Sequence, residues 1–298
     1  MPYKILGKKE LGNSGLLYEM VLDTPLIAKK AFPGNFILLR INENGERFPL
    51  TIADYDETKG TITIVFQIAG KSTKLLSHQN VGDEILDVVG PLGNRIHAQK
   101  YKFPVIIIGG GVGIAECYPQ AKELKKAGNK IISIIGARNT GLLFWREKIR
   151  SVSDRVIICT DDGTEGIKGV VTQPLKEILS RERISLVIAI GPLVMMKYVA
   201  RATDGSGDLP KVKTSVSLNT IMIDGTGMCG GCRFSTLEGD IYFACVDGPD
   251  VDAHVVDFDN LIKRSMRFVE LEKQALDNYD HECKALGKLQ SEGPQNGK

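Results

Sequence analysis

"FPVIIIGGGVGIAECYPQAKELKKAG", residues 103–128, sets a run of β-branched side chains directly against a glycine loop and then a helical pattern. Unbroken apolar residues over "VIII" predict a strand buried on both faces, since a half-exposed strand would alternate. After the loop, "AECYPQAKELKKAG" has the spacing of a helix ended by Gly128. A strand, a glycine turn and a helix in that order form the start of a βαβ unit. There, glycines let the backbone approach a pyrophosphate, and the helix N-terminus favours its negative charge. Gly109, Gly110, Gly111 and Gly113 are therefore candidate dinucleotide contacts. The alternation of Gly109, Gly111, Gly113 and Ala115 departs from G-x-G-x-x-G, and no acidic residue ends the second strand, which closes in "IIGARN". Such a loop serves either a pyrophosphate or tight packing of strand on helix, and alone it leaves both open.

Working outward, "IISIIG", "RVIIC" and "LVIAIG" are further short apolar runs, with helical segments such as "QPLKEILSR" between them. Continuous apolar strands alternating with helices predict a parallel, doubly covered sheet over residues 99–210. "IGPLVMM" (190–196) follows a later strand of that sheet, where ligands of open α/β sheets bind, and adds Gly191, Pro192 and Met195 to the candidates. The strand "RVIIC" runs into "TDDG" (160–163). Carboxylates at Asp161 and Asp162 would repel a 2′-phosphate and suit a free ribose hydroxyl, which favours NAD(H); otherwise the pair caps a turn. Arg138 in "GARN" either opposes that preference or serves the pyrophosphate.

Upstream, residues 1–98 read as short strands with β-branched residues, alternation and Gly, Asn and Asp turns: "YKILGKKEL", "LLYEMVLD", "NFILLRI", "GTITIVFQI" and "EILDVVGPLG". Strands at this spacing predict a small antiparallel barrel. The expected architecture is β plus α/β: an antiparallel barrel (1–98), a parallel-sheet nucleotide domain (99–210), a small cysteine-bearing subdomain (211–256) and a terminal helix with a polar tail (257–298).

Across 298 residues, 43% apolar and 25% charged side chains with a net charge of +2 describe a globular chain large enough for several domains. No basic run interleaved with aromatics points to nucleic acid. The N-terminus lacks the apolar core of a signal peptide, and the longest apolar stretch, "VIIIGGGVGIA" (105–115), is too short to span a bilayer. A cytoplasmic location is expected, away from membranes. In that reducing setting the six cysteines read as metal-binding, catalytic or core residues rather than disulfides.

The barrel, the glycine loop and the Gly-Pro-x-x-Met turn together resemble the ferredoxin–NADP reductase superfamily. The resemblance implies FAD on the barrel and a nicotinamide between the glycine loop and the "IGPLVMM" turn. The flavin signature of that superfamily is Arg-x-x-Ser/Thr on a barrel strand, then Gly-x-x-Ser/Thr at the pyrophosphate. Here "ERFPLTIADYD" and "IAGKSTKLL" are its counterparts. By this resemblance Pro49, Leu50 and Thr51 lie along the isoalloxazine ring, Thr51 as a hydrogen-bonding group, and Arg47, Gly70, Ser72 and Thr73 serve the phosphates. Arg47 stands one residue further from Thr51 than the pattern has it, so it is either a diphosphate partner or a surface charge.

The remaining motif is "DGTGMCGGCRFSTLEGDIYFACVDG" (224–248). Cys229-x-x-Cys232 with Cys245 suits half of a zinc ribbon or part of an iron–sulfur loop; a ribbon would bring a second close pair, which is missing. Set on the plant-type C-x4-C-x2-C arrangement, Asp224 takes the place of the first cysteine. Carboxylate oxygen is a harder donor than thiolate, and the same aspartate also suits an Asp-Gly turn. The order of flavin barrel, nucleotide domain and C-terminal cluster loop resembles the electron-transfer subunit of dihydroorotate dehydrogenase, which uses four cysteines.

With aspartate in the first position the segment is more similar to the small subunits of NADH-dependent reduced ferredoxin:NADP⁺ oxidoreductases, also called sulfide dehydrogenases. That resemblance implies a [2Fe–2S] cluster on Asp224, Cys229, Cys232 and Cys245. It also implies hydride exchange between NAD(H) and FAD, and a larger, glutamate-synthase-like flavin and iron–sulfur partner through which ferredoxin is met. The other readings are a dihydroorotate dehydrogenase subunit and, in a different class, a non-catalytic zinc-bearing binding module. Cys117, Cys159 and Cys283 read as packing residues. From Asp257 to about Gln290 the near-heptad stripe Ile262, Met266, Val269, Leu276, Tyr279, Cys283 and Leu286 predicts one long helix, packed on its own chain or docking a second subunit.

Overall fold

The computed structural model describes residues 2–96 and 98–291, with side chains described up to His281. Seven antiparallel strands form the N-terminal unit: β1 (Tyr3–Leu11), β2 (Leu17–Asp23), β3 (Phe36–Arg40), β4 (Phe48–Asp56), β5 (Thr61–Gln67), β6 (Glu84–Ile85) and β7 (Asp87–Leu92). Their order is β6-β1-β2-β5-β4-β3-β7. Because β6 and β7 are separated only by Leu86 and pair with opposite ends of that order, the sheet is nearly closed into a barrel. Helix α1 (Pro25–Ala28) follows β2, and α2 (Lys71–His78) follows β5. Ile5, Met20, Leu22, Ile37, Ile62 and Ile64 fill the barrel, all fully buried, as the inward half of a period-two pattern must be.

The second sheet has the order β11-β10-β9-β8-β12-β13-β16. Its strands are β8 (Val105–Gly110), β9 (Ile131–Ala137), β10 (Arg155–Thr160), β11 (Ile167–Lys168), β12 (Leu186–Ile190), β13 (Thr214–Ser217) and β16 (Asp250–Asp252). All neighbours pair in parallel except β13 with β16. Helices α3 (Ile114–Lys126), α4 (Arg146–Ser151), α5 (Thr172–Arg181) and α6 (Leu193–Thr203) connect these strands. Every residue of β8 is buried, as "VIII" predicts for a central strand. The chain leaves β8 for β9 on one side and later returns to β12 on the other. Strand order therefore reverses between β8 and β12, and that reversal opens a crevice at their C-terminal ends.

The cysteine-bearing segment lends β13 and β16 to this sheet and leaves only a two-stranded ribbon outside it, β14 (Arg233–Ser235) with β15 (Ile241–Phe243). Barrel and nucleotide sheet share a core in which Leu17, Ala53 and Val65 meet Ile107, Ile114 and Cys117. The ordinary alternation of β4, which also carries a bulge between Ile52 and Asp54, makes this possible. Ile52 faces the barrel interior, while its neighbour Ala53 faces the second domain.

The C-terminal helix differs from expectation: it is two helices, α7 (Phe258–Ser265) and α8 (Val269–Ser291), broken at residues 266–268. Phe258 and Leu261 bind α7 into the core shared by the sheet and the cysteine segment, and the Arg264 Nε donates to the Arg233 carbonyl at 3.2 Å. Further along, α8 meets α2 of the barrel, where Lys74 bonds Asp280 at 2.5 Å and Tyr279 stacks on His78. Docking on two different domains redirects the chain, and tertiary contacts override the continuous stripe. The side chains of Cys283 and Leu286, and residues 292–298 of the polar tail, lie outside the described residues.

Candidate functional site

A cleft of about 880 Å³ lies between barrel and parallel sheet, within the range of small-molecule sites. On the barrel side it is lined by Leu17 of β2, Phe36 of β3, Pro49, Leu50 and Thr51 of β4, and Val65 and Gln67 of β5. Opposite stand Gly110, Gly111, Gly113 and Glu116 at the β8–α3 junction, with Gly191, Pro192 and Met195 after β12. Arg138 and Asp161 reach it from the ends of β9 and β10, and Ser217 from β13. Five successive parallel strands thus present their C-terminal ends to one crevice, the place where open α/β sheets take ligands.

The glycines divide by role. A Cβ on Gly113 would lie 2.3 Å from the Ile190 carbonyl oxygen, one on Gly110 2.5 Å from Met195 Sδ, and one on Gly109 2.7 Å from Cys117 Sγ. Gly113 packs on the backbone of the β12 turn and Gly109 on the start of α3, while Gly110 faces the Met195 side chain, which could move aside. Gly111, at φ +55, has nothing within 4 Å of its would-be Cβ, so its backbone is open to the cleft. An apolar barrel wall facing an open, glycine-lined helix start fits a flat aromatic cofactor beside a phosphate-bearing one.

Other candidates sit elsewhere. Asp162 is turned into its own loop, where the hydroxyl and amide of Thr164 donate to its Oδ1 at 2.7 and 3.0 Å. The Thr164 hydroxyl, and then its amide, hold the Asp162 carboxyl below the usual carboxylate range. Of the "TDDG" pair only Asp161 lines the cleft. Arg47, Gly70, Ser72 and Thr73 are outside the cleft lining. Arg47 lies 3.8 Å from Asp87, Ser72 donates to Glu46 at 2.9 Å, and the Gly70 amide donates to the Thr73 hydroxyl at 3.1 Å. Ser72 instead borders a small hollow between α2 and the β3–β4 loop.

In the cysteine segment, Cys232 and Cys245 are buried with their sulfurs 3.2 Å apart, and Cys229 is exposed. Burial, with the neighbouring Cys232 thiol, pushes the Cys245 thiol up to about 12. The Gly231 amide donates to Cys229 Sγ at 3.4 Å, and Gly225, Gly227 and Gly230 all adopt positive φ, which wraps the backbone around the thiols. Soft sulfur donors in a glycine-shaped loop fit an iron–sulfur group. Asp224 is engaged with backbone beside the thiols: its Oδ1 accepts from the Thr226 amide at 2.9 Å and its Oδ2 from the Cys229 amide at 2.6 Å, and its charge reaches the Cys229 and Cys245 thiols. The Thr226 amide, followed by that of Cys229, holds this carboxyl below the usual range. Among the described residues no three His, Cys, Asp or Glu side chains stand as a preformed metal-ion site. Cys117 and Cys159 are buried core thiols.

Sequence reasoning missed a polar cluster behind the cleft. The Ser217 hydroxyl donates to Glu116 Oε1 at 2.7 Å, and the Thr51 hydroxyl donates to Glu116 Oε2 at 3.3 Å. The Gln120 amide donates to Glu116 Oε1 at 3.1 Å and reaches Asp250 at 3.4 Å. Burial raises both carboxyls above their ordinary range, and Asp250 is raised further by the charge of Glu116. Glu116 lies inside the motif "GGGVGIAE", and an acid in the first turn after a phosphate-type loop was the available signal.

The chain matches the family model for the iron–sulfur cluster binding domain of dihydroorotate dehydrogenase B over residues 219–257. It is 43% identical to the dihydroorotate dehydrogenase B (NAD⁺) electron transfer subunit homolog of Thermotoga maritima, covering 88% of this chain and 91% of the relative. Against the dihydroorotate dehydrogenase B electron transfer subunit of Geobacillus kaustophilus the identity is 30%, over 78% of this chain and 89% of the relative. A chain in the structure of NADH-dependent reduced ferredoxin-NADP oxidoreductase superposes with a TM-score of 0.86 at 40% identity, covering 94% of this chain and 98% of that one. The Amycolatopsis cytochrome P450 reductase shares the fold alone, with a TM-score of 0.57 at 18% identity. No described helix is long and apolar enough to cross a membrane. A nearly closed flavoprotein-type barrel, a parallel sheet and a matched iron–sulfur segment identify the chain as an electron-transfer subunit of the dihydroorotate dehydrogenase B family.

Proposed function

We propose that the chain is the flavin and iron–sulfur subunit of an NADH-dependent reduced ferredoxin:NADP⁺ oxidoreductase. The observation that carries this reading is the shared cleft, where Pro49, Leu50 and Thr51 of the barrel face the open Gly111 backbone and the Gly191 and Pro192 turn. In it, FAD would lie against β4 with Thr51 as its hydrogen-bonding partner. NAD(H) would lie across the β8–β12 crevice on Gly110, Gly111, Gly113, Gly191, Pro192 and Met195, whereas Gly109, outside the cleft lining, packs on α3. Asp161 would meet the ribose, and Arg138 the pyrophosphate. Arg47, Gly70, Ser72 and Thr73 would exchange their present partners for the flavin phosphates. A flavin takes up a hydride as one electron pair and gives up electrons singly, which a one-electron cluster requires.

Cys229, Cys232 and Cys245 would hold a [2Fe–2S] cluster, with Asp224 releasing one amide to act as fourth ligand. Aspartate at that position, and the superposition on the oxidoreductase chain over 94% of this chain at a TM-score of 0.86, support this assignment. The second reading is a dihydroorotate dehydrogenase electron-transfer subunit, favoured by the matched cluster-domain family.

In the proposed assembly a larger, glutamate-synthase-like flavin and iron–sulfur subunit would bind NADP(H) and meet ferredoxin, with α8 contributing to docking. The test is NADPH formation from NADH, reduced ferredoxin and NADP⁺. The isolated chain should bleach its flavin with NADH and reduce artificial acceptors yet form no NADPH, and adding the second subunit should restore coupling. NADPH formation by the single chain, or coupling to dihydroorotate oxidation instead, would overturn the assignment.

A further inference from the structure

We propose that Glu116 is the proton-exchange group of the cleft, trading protons with the reacting centre through the Thr51 hydroxyl, with Gln120 and Asp250 as positioning residues. The proposal rests on the hydride-to-single-electron reading above. NADH gives NAD⁺, two electrons and one proton. When the electrons leave singly toward the cluster, the proton must leave separately from a largely apolar cleft. The geometry supplies a route. The Thr51 hydroxyl lines the cleft and donates to Glu116 Oε2 at 3.3 Å. In the exchange, Thr51 passes its hydroxyl proton to the Glu116 carboxylate and takes one from the cleft. One O–H bond forms on Glu116, while that on Thr51 breaks and re-forms. The reverse sequence returns the proton when electrons enter and hydride leaves.

Three observations support a proton-holding role beyond that of a structural clamp. Glu116 is only 6% exposed and Gln120 is fully buried, yet among the described residues no cationic side chain pairs with either carboxyl. The Gln120 carbonyl oxygen is buried with no partner among the described residues and belongs to the side chain that bridges the two acids, so the cluster has acceptor capacity for one more hydrogen. Two acids joined by one amide also cannot both ionise cheaply in a low-dielectric site, and burial raises the proton affinity of each. The titratable groups facing Glu116 are Asp250 from β16 and Cys117 on its own helix. On β4, Asp54 is directed instead to Lys122 and Lys148.

The first test is a potentiometric difference titration of flavin-free wild type against Glu116→Gln. The difference should include a proton bound well above the ordinary carboxylate range. Asp250→Asn should remove one of two coupled steps and move the remaining one downward. In the flavin-loaded chain, Glu116→Gln should retain flavin but lose roughly 10²-fold in NADH-to-dye turnover, the scale of general acid–base catalysis. Its pH dependence should flatten, and Glu116→Asp should recover part of the rate. A flavin-bearing Glu116→Gln chain with wild-type rate and pH profile overturns the proposal. So does a difference titration in which the missing group is an ordinary carboxylate. Failure of the unaltered chain to bind flavin would overturn the cofactor reading instead, and the flavin-free titration would still decide whether Glu116 holds the proton.

Discussion

Gly113→Ala places a methyl group where the backbone of β12 already stands. Its carbon would lie 2.3 Å from the Ile190 carbonyl oxygen, 2.7 Å from the Ile190 carbonyl carbon and 3.0 Å from Gly191 Cα. Ordinary contact begins near 3.4 Å, so strand and helix must separate by about 1 Å. None of these atoms can swing aside as a flexible side chain would. Overpacking of this kind costs about 1–3 kcal/mol, and for a chain of this size that lowers Tm by roughly 2–5 °C. The displacement also widens the crevice between the glycine loop and the Gly191 turn, and a misplacement near 1 Å can reduce a positioned reaction about 10²-fold. Gly111→Ala is the contrasting change. It meets no atom, but its φ of +55 costs an L-residue about 1–2 kcal/mol, and its methyl points into open cleft. Thermal melts should show both changes lowering stability, Gly113→Ala through overpacking and Gly111→Ala through backbone strain, and NADH titrations should show both losing affinity. A Gly113→Ala chain with unchanged Tm and NADH Kd would refute the packing argument, and a Gly111→Ala chain binding NADH normally would refute the ligand argument.

The Glu116 and Asp250 pair predicts an unusual pH trend. Their folded values lie above the unfolded range near 4, so the native chain holds protons that the unfolded chain has released. Their contribution to stability is therefore full at low pH, is lost as pH rises through the raised values and is level above them. Urea midpoints measured across pH should move in favour of Glu116→Gln relative to wild type as pH rises through that window; a constant difference would contradict the shift. For the cluster, Asp224→Cys should keep iron but change absorption and potential, because thiolate donates more electron density, whereas Asp224→Ala should lose or destabilise it. Identical spectra and potentials in both would remove Asp224 from the ligand set. For nucleotide choice, Asp161→Ser should carry most of any gain in NADPH use, while Asp162→Ser should chiefly loosen the loop held by Thr164. A kcat/KM comparison with both nucleotides checks this, and equal effects at the two positions would contradict it.

The sequence made the two-domain architecture legible because apolar periodicity switches cleanly from alternating to continuous at β8. The glycine loop was legible as a loop, but not its division of labour. Only the packed structure reveals that Gly113 touches β12 while Gly111 faces empty space. The bulge in β4 between Ile52 and Asp54 leaves no mark in a stretch as ordinary as "LTIADYD". Glu116 illustrates the same limit in chemistry. Its partners Thr51 and Ser217 are 65 and 101 residues away, and Gln120 reaches Asp250 across 130. No local pattern encodes such a meeting. The break between α7 and α8 is a third case, since a continuous stripe cannot announce that its two halves dock on different domains.

The most direct measurement is the absorption spectrum of the anaerobically purified chain, with flavin, iron, sulfide and zinc analysis, before and after addition of NADH. The proposed function predicts about one FAD, two iron and two sulfide per chain without zinc, and NADH should bleach the flavin band. Zinc bound in place of iron, with no flavin and no spectral response to NADH, would contradict it.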